Sequence, residues 1–231
     1  MEGQVSPVGE LALRVIRGSN WIPRNEDFES IWTRVRSGLP FGLENREVRL
    51  WRYRNLPNIL RGMKTIALVR MLHLPSFWGE LYLKRLFANG RVLDLGLAGL
   101  RVVTDAGVAF IVDAFQNTAE LENMKYHGIG TGTGNEAAGD IALGGELTTE
   151  YATDNVRPTG TTVEGATANI FKTVGTITID SGTPAITEHG VFSDATRGNP
   201  TLLDRTKFTA INLVANDGIQ ATYQFTLTSG S

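Results

Sequence analysis

The run Gly128-Ile129-Gly130-Thr131-Gly132-Thr133-Gly134 is the stretch that most invites chemistry, since backbone N–H groups in a glycine-rich loop can cradle an anion. Its context argues against a nucleotide. No Gly-Lys-Ser/Thr follows, so the loop is not a Walker A motif, and a dinucleotide fingerprint needs a packed helix behind the glycines and an acid about 20 residues on. Asn135 to Asp140 offers at most one helical turn before Gly144-Gly145. A β-loop that needs unusual backbone angles fits the spacing better.

The histidines His73, His127 and His189 stand at no metal-ligating spacing such as i, i+3 or i, i+4. Tyr126-His127 and Glu188-His189 fall in β-compatible runs, where neighbouring side chains point to opposite faces, so Glu188 is badly placed to orient His189. Each reads as a strand histidine with a satisfied hydrogen bond. Neither Gly-x-Ser-x-Gly nor a helical Ser-x-x-Lys occurs. Asp180, Asp194, Asp204 and Asp217 occupy turn-like positions, where aspartate bonds nearby backbone. Two carboxylates joined by folding would suit a glycosidase, but no pair is singled out. With no cysteine, disulfides, thiolate metal sites, Cys nucleophiles and iron–sulfur clusters are excluded. The chain reads as having no catalytic residue, no cofactor and no metal ligand.

From Arg46 to Arg61 the residue types change. Arg49, Trp51 and Tyr53 alternate with Leu50, Arg52 and Arg54, which on an extended arm would meet phosphates and stack bases. Trp, Tyr and Arg serve a protein interface equally well, because they bury large areas and Arg forks onto carboxylates. Glu44 and Glu47 among the arginines favour a protein partner over nucleic acid. The interface candidates are therefore Trp21, Trp32, Arg49, Trp51, Arg52, Tyr53, Arg54 and Trp78. The competing reading is a solvated helical face with ordinary core tryptophans.

These residues need elements to hold them. Short helices are predicted over 6–18 and from 25 to 38, an extended or partly strand-like arm over 39–60, and two more helices over 63–74 and 77–88, split by Pro75. Arg91 to Val103 is β-compatible, and Thr104-Asp105 caps a helix running to about residue 116 with Val108, Ile111, Val112 and Phe115 in one stripe. After it the signals are almost all β: 124–129, 170–174, 176–179, 185–192, 202–213 and 219–227. Asn216-Asp217-Gly218 reads as a hairpin turn between the last two runs. The expected class is α+β: a basic helical and extended arm region over residues 1–90, then an antiparallel β-sandwich over 91–231.

Composition divides the chain in the same way. Residues 1–101 hold 16 Lys+Arg against 9 Asp+Glu, net +7, and residues 102–231 hold 6 against 15, net −9. All four tryptophans lie in the first part, whereas threonine occurs three times up to residue 117 and 22 times after it. Two differently built parts are implied. No apolar stretch approaches the roughly 20 residues that span a bilayer, and Met1-Glu2-Gly3 opens no secretory signal. Neither a membrane span nor export is expected.

The stretch from about residue 91 to 227 resembles virion structural proteins of tailed bacteriophages. The likeness rests on Arg101 to Phe115 (RVVTDAGVAFIVDAF), Lys125 to Thr133 (KYHGIGTGT), Thr187 to Ser193 (TEHGVFS) and Leu203 to Phe208 (LDRTKF). It implies a compact β-sandwich on a particle surface and no catalytic residues. The expected role is a capsid cement (decoration) protein on the virion surface. Its partners would be the major capsid protein and copies of itself, as a homotrimer or other symmetric oligomer. The alternatives are a tail, baseplate or fibre-attachment protein and, outside virions, a carbohydrate-binding adhesin.

Overall fold

The computed structural model describes residues 35–42, 45–71, 76–165, 167–197 and 200–228. They form an α+β fold of two antiparallel sheets with the helices toward the N-terminal side. The helices are α1 (Arg46–Met71) and α2 (Asp105–Phe115), with a 3-10 turn over Leu121–Asn123. The strands are β1 (Ser76–Leu86), β2 (Val92–Val102), β3 (Tyr126–Gly130), β4 (Thr161–Glu164), β5 (Ile170–Thr178), β6 (Ala185–Phe192), β7 (Leu202–Asn212) and β8 (Gly218–Thr228). One sheet has the order β2-β1-β8-β5-β4 and the other β3-β6-β7. Leu81, Leu83, Ile177 and Ile219 of the first pack against Ile129, Ile186, Phe208 and Ile211 of the second in one core, so the two sheets form a sandwich.

Two expectations in the N-terminal part are overturned. Residues 46–71 form one long helix in place of an extended arm over 39–60. Asn45 caps it, its Oδ1 accepting the N–H groups of Glu47 and Val48 at 2.9 and 3.2 Å. The buried positions Val48, Trp51, Arg52, Asn55, Leu56, Ile59, Gly62 and Ile66 keep helical spacing throughout. Three of those eight are Arg, Asn and Gly, which hides the period from a hydrophobicity reading.

Residues 76–86 form a central strand where a helix over 77–88 was expected. Its alternation of Leu81 and Leu83 inward with Trp78, Glu80 and Tyr82 on the other face has a period of two. The expected division at residue 90 falls in the turn joining β1 to β2, which pair antiparallel. The short helices expected over 6–18 and at the start of 25–38 lie outside the described residues.

The β part follows the sequence closely, with one reversal. β7 pairs with β6 and β8 pairs with β1 and β5, so Asn216-Asp217-Gly218 carries the chain from one sheet to the other and closes no hairpin. Asp217 explains this. Its carboxylate accepts Arg85 Nη2 and the Ala88 N–H, both at 3.0 Å, which ties the turn to the end of β1.

α1 closes the side of the sandwich where both sheets end. β2 is an edge of one sheet and β7 an edge of the other, and unpaired backbone on such edges must be covered. Asn55 Nδ2 donates to Ala98 O of β2 at 2.8 Å while its Oδ1 accepts the Thr209 N–H of β7 at 2.9 Å. Trp51 Nε1 donates to Thr209 O, and Arg52 Nε to Leu95 O at 2.7 Å. Leu95 and Ala98 are the residues that the β1–β2 register skips, so these bulges turn their carbonyls over to the helix.

Candidate interaction surface

The expected interface residues separate according to helix geometry. On a strand, Arg49, Trp51 and Tyr53 would share one face. On α1 the repeat is 3.6 residues, so Arg49, Tyr53 and Arg54 face solvent while Trp51 and Arg52 turn inward. Trp51 is 9 %, Arg52 7 % and Trp78 2 % exposed, and all three pack into the chain's own interior. As interface candidates these three are corrected: Trp51 and Arg52 bind the sheet edges, and Trp78 joins Ile59, Ile66, Leu97 and Leu100 beneath α1. Trp21 and Trp32 lie outside the described residues.

What remains is the outward face of α1. Leu50 and Tyr53, 45 and 56 % exposed, stand among exposed Arg46, Arg49, Arg54, Pro57 and Lys64. The spacing i, i+3, i+4, i+7, i+8, i+11, i+18 places all seven along one stripe opposite the buried face. Arg46, Arg49, Arg54 and Lys64 make no ion pair among the described residues. A rigid helix carrying Arg, Tyr and Leu with its cations unspent is a surface suited to docking an acidic, partly apolar partner.

The sites that sequence patterns offered for catalysis are committed to the fold. An anion is cradled here, and it is Glu188, held by one N–H of the glycine loop and two of the Gly144-Gly145 pair. Its carboxylate, wholly buried, accepts the N–H groups of Gly132, Gly144 and Gly145 at 3.0, 3.1 and 2.7 Å. Arg205 adds Nε at 2.8 Å and Nη2 at 2.7 Å, and reaches Asp140 with Nη1 at 3.0 Å. Five donors saturate the carboxylate. The expected unusual backbone angles are absent: Gly128, Gly130 and Gly132 are not at positive φ. A Cβ on Gly130 would lie 2.5 Å from Glu188 Oε1 and one on Gly132 closer still, which keeps both positions glycine.

His127 and His189 meet inside the sandwich, Nδ1 of the first 2.9 Å from Nε2 of the second, with Thr173 Oγ1 3.2 Å from the other nitrogen of His127. Burial lowers His127 to about 4. Burial, and then the neighbouring His127, hold His189 well below the usual histidine value. Both rings are neutral at pH 7 and sealed from solvent. Glu188 and His189 point to different places, Glu188 to the glycine loop and His189 to His127, as alternation along a strand dictates. His127 and His189 pair across 62 residues, which leaves no local spacing to read.

A second, largely buried pair joins Glu146 to Arg157, with Nε 2.6 Å and Nη2 2.9 Å from the two carboxylate oxygens. The Arg157 guanidinium lies 3.8 Å from the Phe192 ring centroid. No cluster of three or more His, Cys, Asp or Glu side chains able to hold a metal occurs among the described residues. No described helix is long and apolar enough to cross a membrane. Comparison with family profiles, curated proteins and solved structures finds no match to this chain.

Proposed function

We propose that this protein is a structural component of a tailed-phage virion, a capsid cement protein that docks on the major capsid protein and bridges its neighbouring copies. The observation that carries the reading is the outward stripe of α1, where Arg49, Tyr53 and Arg54 stand exposed on a helix fixed to both sheets. A cement protein needs an adhesive surface on a rigid body, because ordering a floppy surface on binding would consume the affinity. Asn55, Trp51 and Arg52 supply that rigidity from beneath. The likeness of residues 91–227 to phage virion proteins supplies the particle. Many copies on a symmetric shell then add avidity to a modest single contact.

Incubating the purified protein with empty shells of the phage that encodes it tests this directly. Stoichiometric binding and a raised shell melting temperature are expected. Arg49→Glu with Arg54→Glu, which reverses the charge of the adhesive face, weakens binding by roughly a hundredfold. No binding to the shell overturns the cement role, and gold-labelled antibody collecting at the tail assigns the protein there instead.

A further inference from the structure

The two helices carry outward faces of opposite character. On α1, Leu50 and Tyr53 are set among Arg46, Arg49, Arg54 and Lys64. A surface helix ordinarily turns its whole apolar stripe inward. In α2 the stripe divides: Ile111 enters the core, while Val108, Val112 and Phe115 stay exposed at i, i+4, i+7, Phe115 at 77 %. Exposed Asp105 and Asp113 share that helix, and Glu120, Leu121 and Glu122, also exposed, follow it. None of the four acids makes an ion pair among the described residues.

An apolar strip beside acids asks for a partner that is apolar in the middle and basic around it, and α1 of the same sequence has that composition. Within one copy both faces are open to solvent and leave each other unsatisfied. A second copy satisfies them. We infer that the protein self-associates head to tail, the Val108/Val112/Phe115 face of α2 on one copy seating against the Leu50/Tyr53 face of α1 on the next. Arg49 and Arg54 then oppose Asp113 and Glu120. Because the two faces differ, the contact is heterologous, and it generates a ring wherever the rotation between copies closes. The inference rests on the assembly reading above and gives the α1 face to the next copy of the chain, so that the shell meets the ring so formed and α1 variants lose shell binding through lost avidity; it is read out in solution with no shell present.

Sedimentation velocity on the full-length chain over a wide concentration range tests it, with circular dichroism confirming that each variant is folded. The wild type is expected to associate, more weakly at high salt. Arg49→Glu/Arg54→Glu and Asp113→Lys/Glu120→Lys, all at exposed positions, should each shift association to at least roughly a hundredfold higher concentration. An equimolar mixture of the two variants should associate again, since every contact between unlike variants joins opposite charges. A wild type that stays monomeric overturns the inference. So does an α1 variant that still associates, which would mean like faces pairing. Removal of residues 1–34 abolishing association while both charge variants retain it would place the contact in that segment and equally overturn it. Shell binding by a strictly monomeric protein would refute head-to-tail contact while leaving the cement role standing.

Discussion

Asn55 accepts the Thr209 backbone N–H at 2.9 Å across 154 residues of sequence, while its own amide donates to Ala98 on the other sheet. One side chain thereby fastens the edges of both sheets to one helix. Removing a buried partner costs the desolvation of each group left behind, about 1–3 kcal/mol apiece. Asn55→Ala should therefore destabilise the fold by about 2–5 kcal/mol in urea unfolding. A loss below about 1 kcal/mol would mean water replaces the staple.

Gly62 marks the closest approach of α1 to β2: an added Cβ would lie 2.0 Å from Leu100 O, a backbone atom that cannot turn aside. Helix propensity alone makes Gly→Ala stabilising by about 1 kcal/mol. Overpacking reverses the sign, and Gly62→Ala should cost about 1–3 kcal/mol. Equilibrium unfolding that shows the variant more stable than the wild type would contradict this approach of helix to strand.

Glu188 is the anion that holds the glycine loop. Glu188→Gln keeps the shape, removes the charge opposite Arg205 and turns an acceptor into a donor facing backbone N–H groups. Leaving a buried cation partly uncompensated costs about 3–5 kcal/mol. Amide exchange at Gly132, Gly144 and Gly145 should accelerate with the loss. Unchanged protection at those three amides would show that the loop is held by other means.

The His127–His189 pair makes stability depend on pH. Both histidines titrate near about 6.5 in the unfolded chain, whereas burial brings His127 to about 4 and His189 lower still. Between those values the unfolded chain binds more protons, so stability is full above about 6.5 and falls as pH drops toward 4. The loss between pH 7 and 5 should be about 2 kcal/mol per histidine, and His189→Gln should remove about half of the total. Denaturant midpoints that stay constant over this range would contradict a neutral buried pair.

Much of the fold was legible in the sequence, for a local reason. β6 over Ala185–Phe192, β7, β8 and α2 fall where alternation, apolar periodicity and the Thr104 cap placed them, because each signal depends on residues a few positions apart. α1 and β1 carry no such local signal. The buried face of α1 includes Arg52, Asn55 and Gly62, whose burial follows from partners about 40 residues or more away in β2 and β7. In β1, Glu80 is buried beside Trp78 and Tyr82, where the sequence shows only a charged position.

For the interaction surface, the residue types on offer could be read from the chain order alone: Arg49, Tyr53 and Arg54 in a basic half, and Val112, Phe115 and Asp113 in an acidic one. Which of them reach solvent was set by packing between elements far apart in the chain. A run of Arg, Trp and Tyr reads identically on a strand and on a helix until the repeat is known. The repeat was settled by two open sheet edges, whose unpaired backbone groups bound Trp51, Arg52 and Asn55 and so turned Arg49, Tyr53 and Arg54 outward.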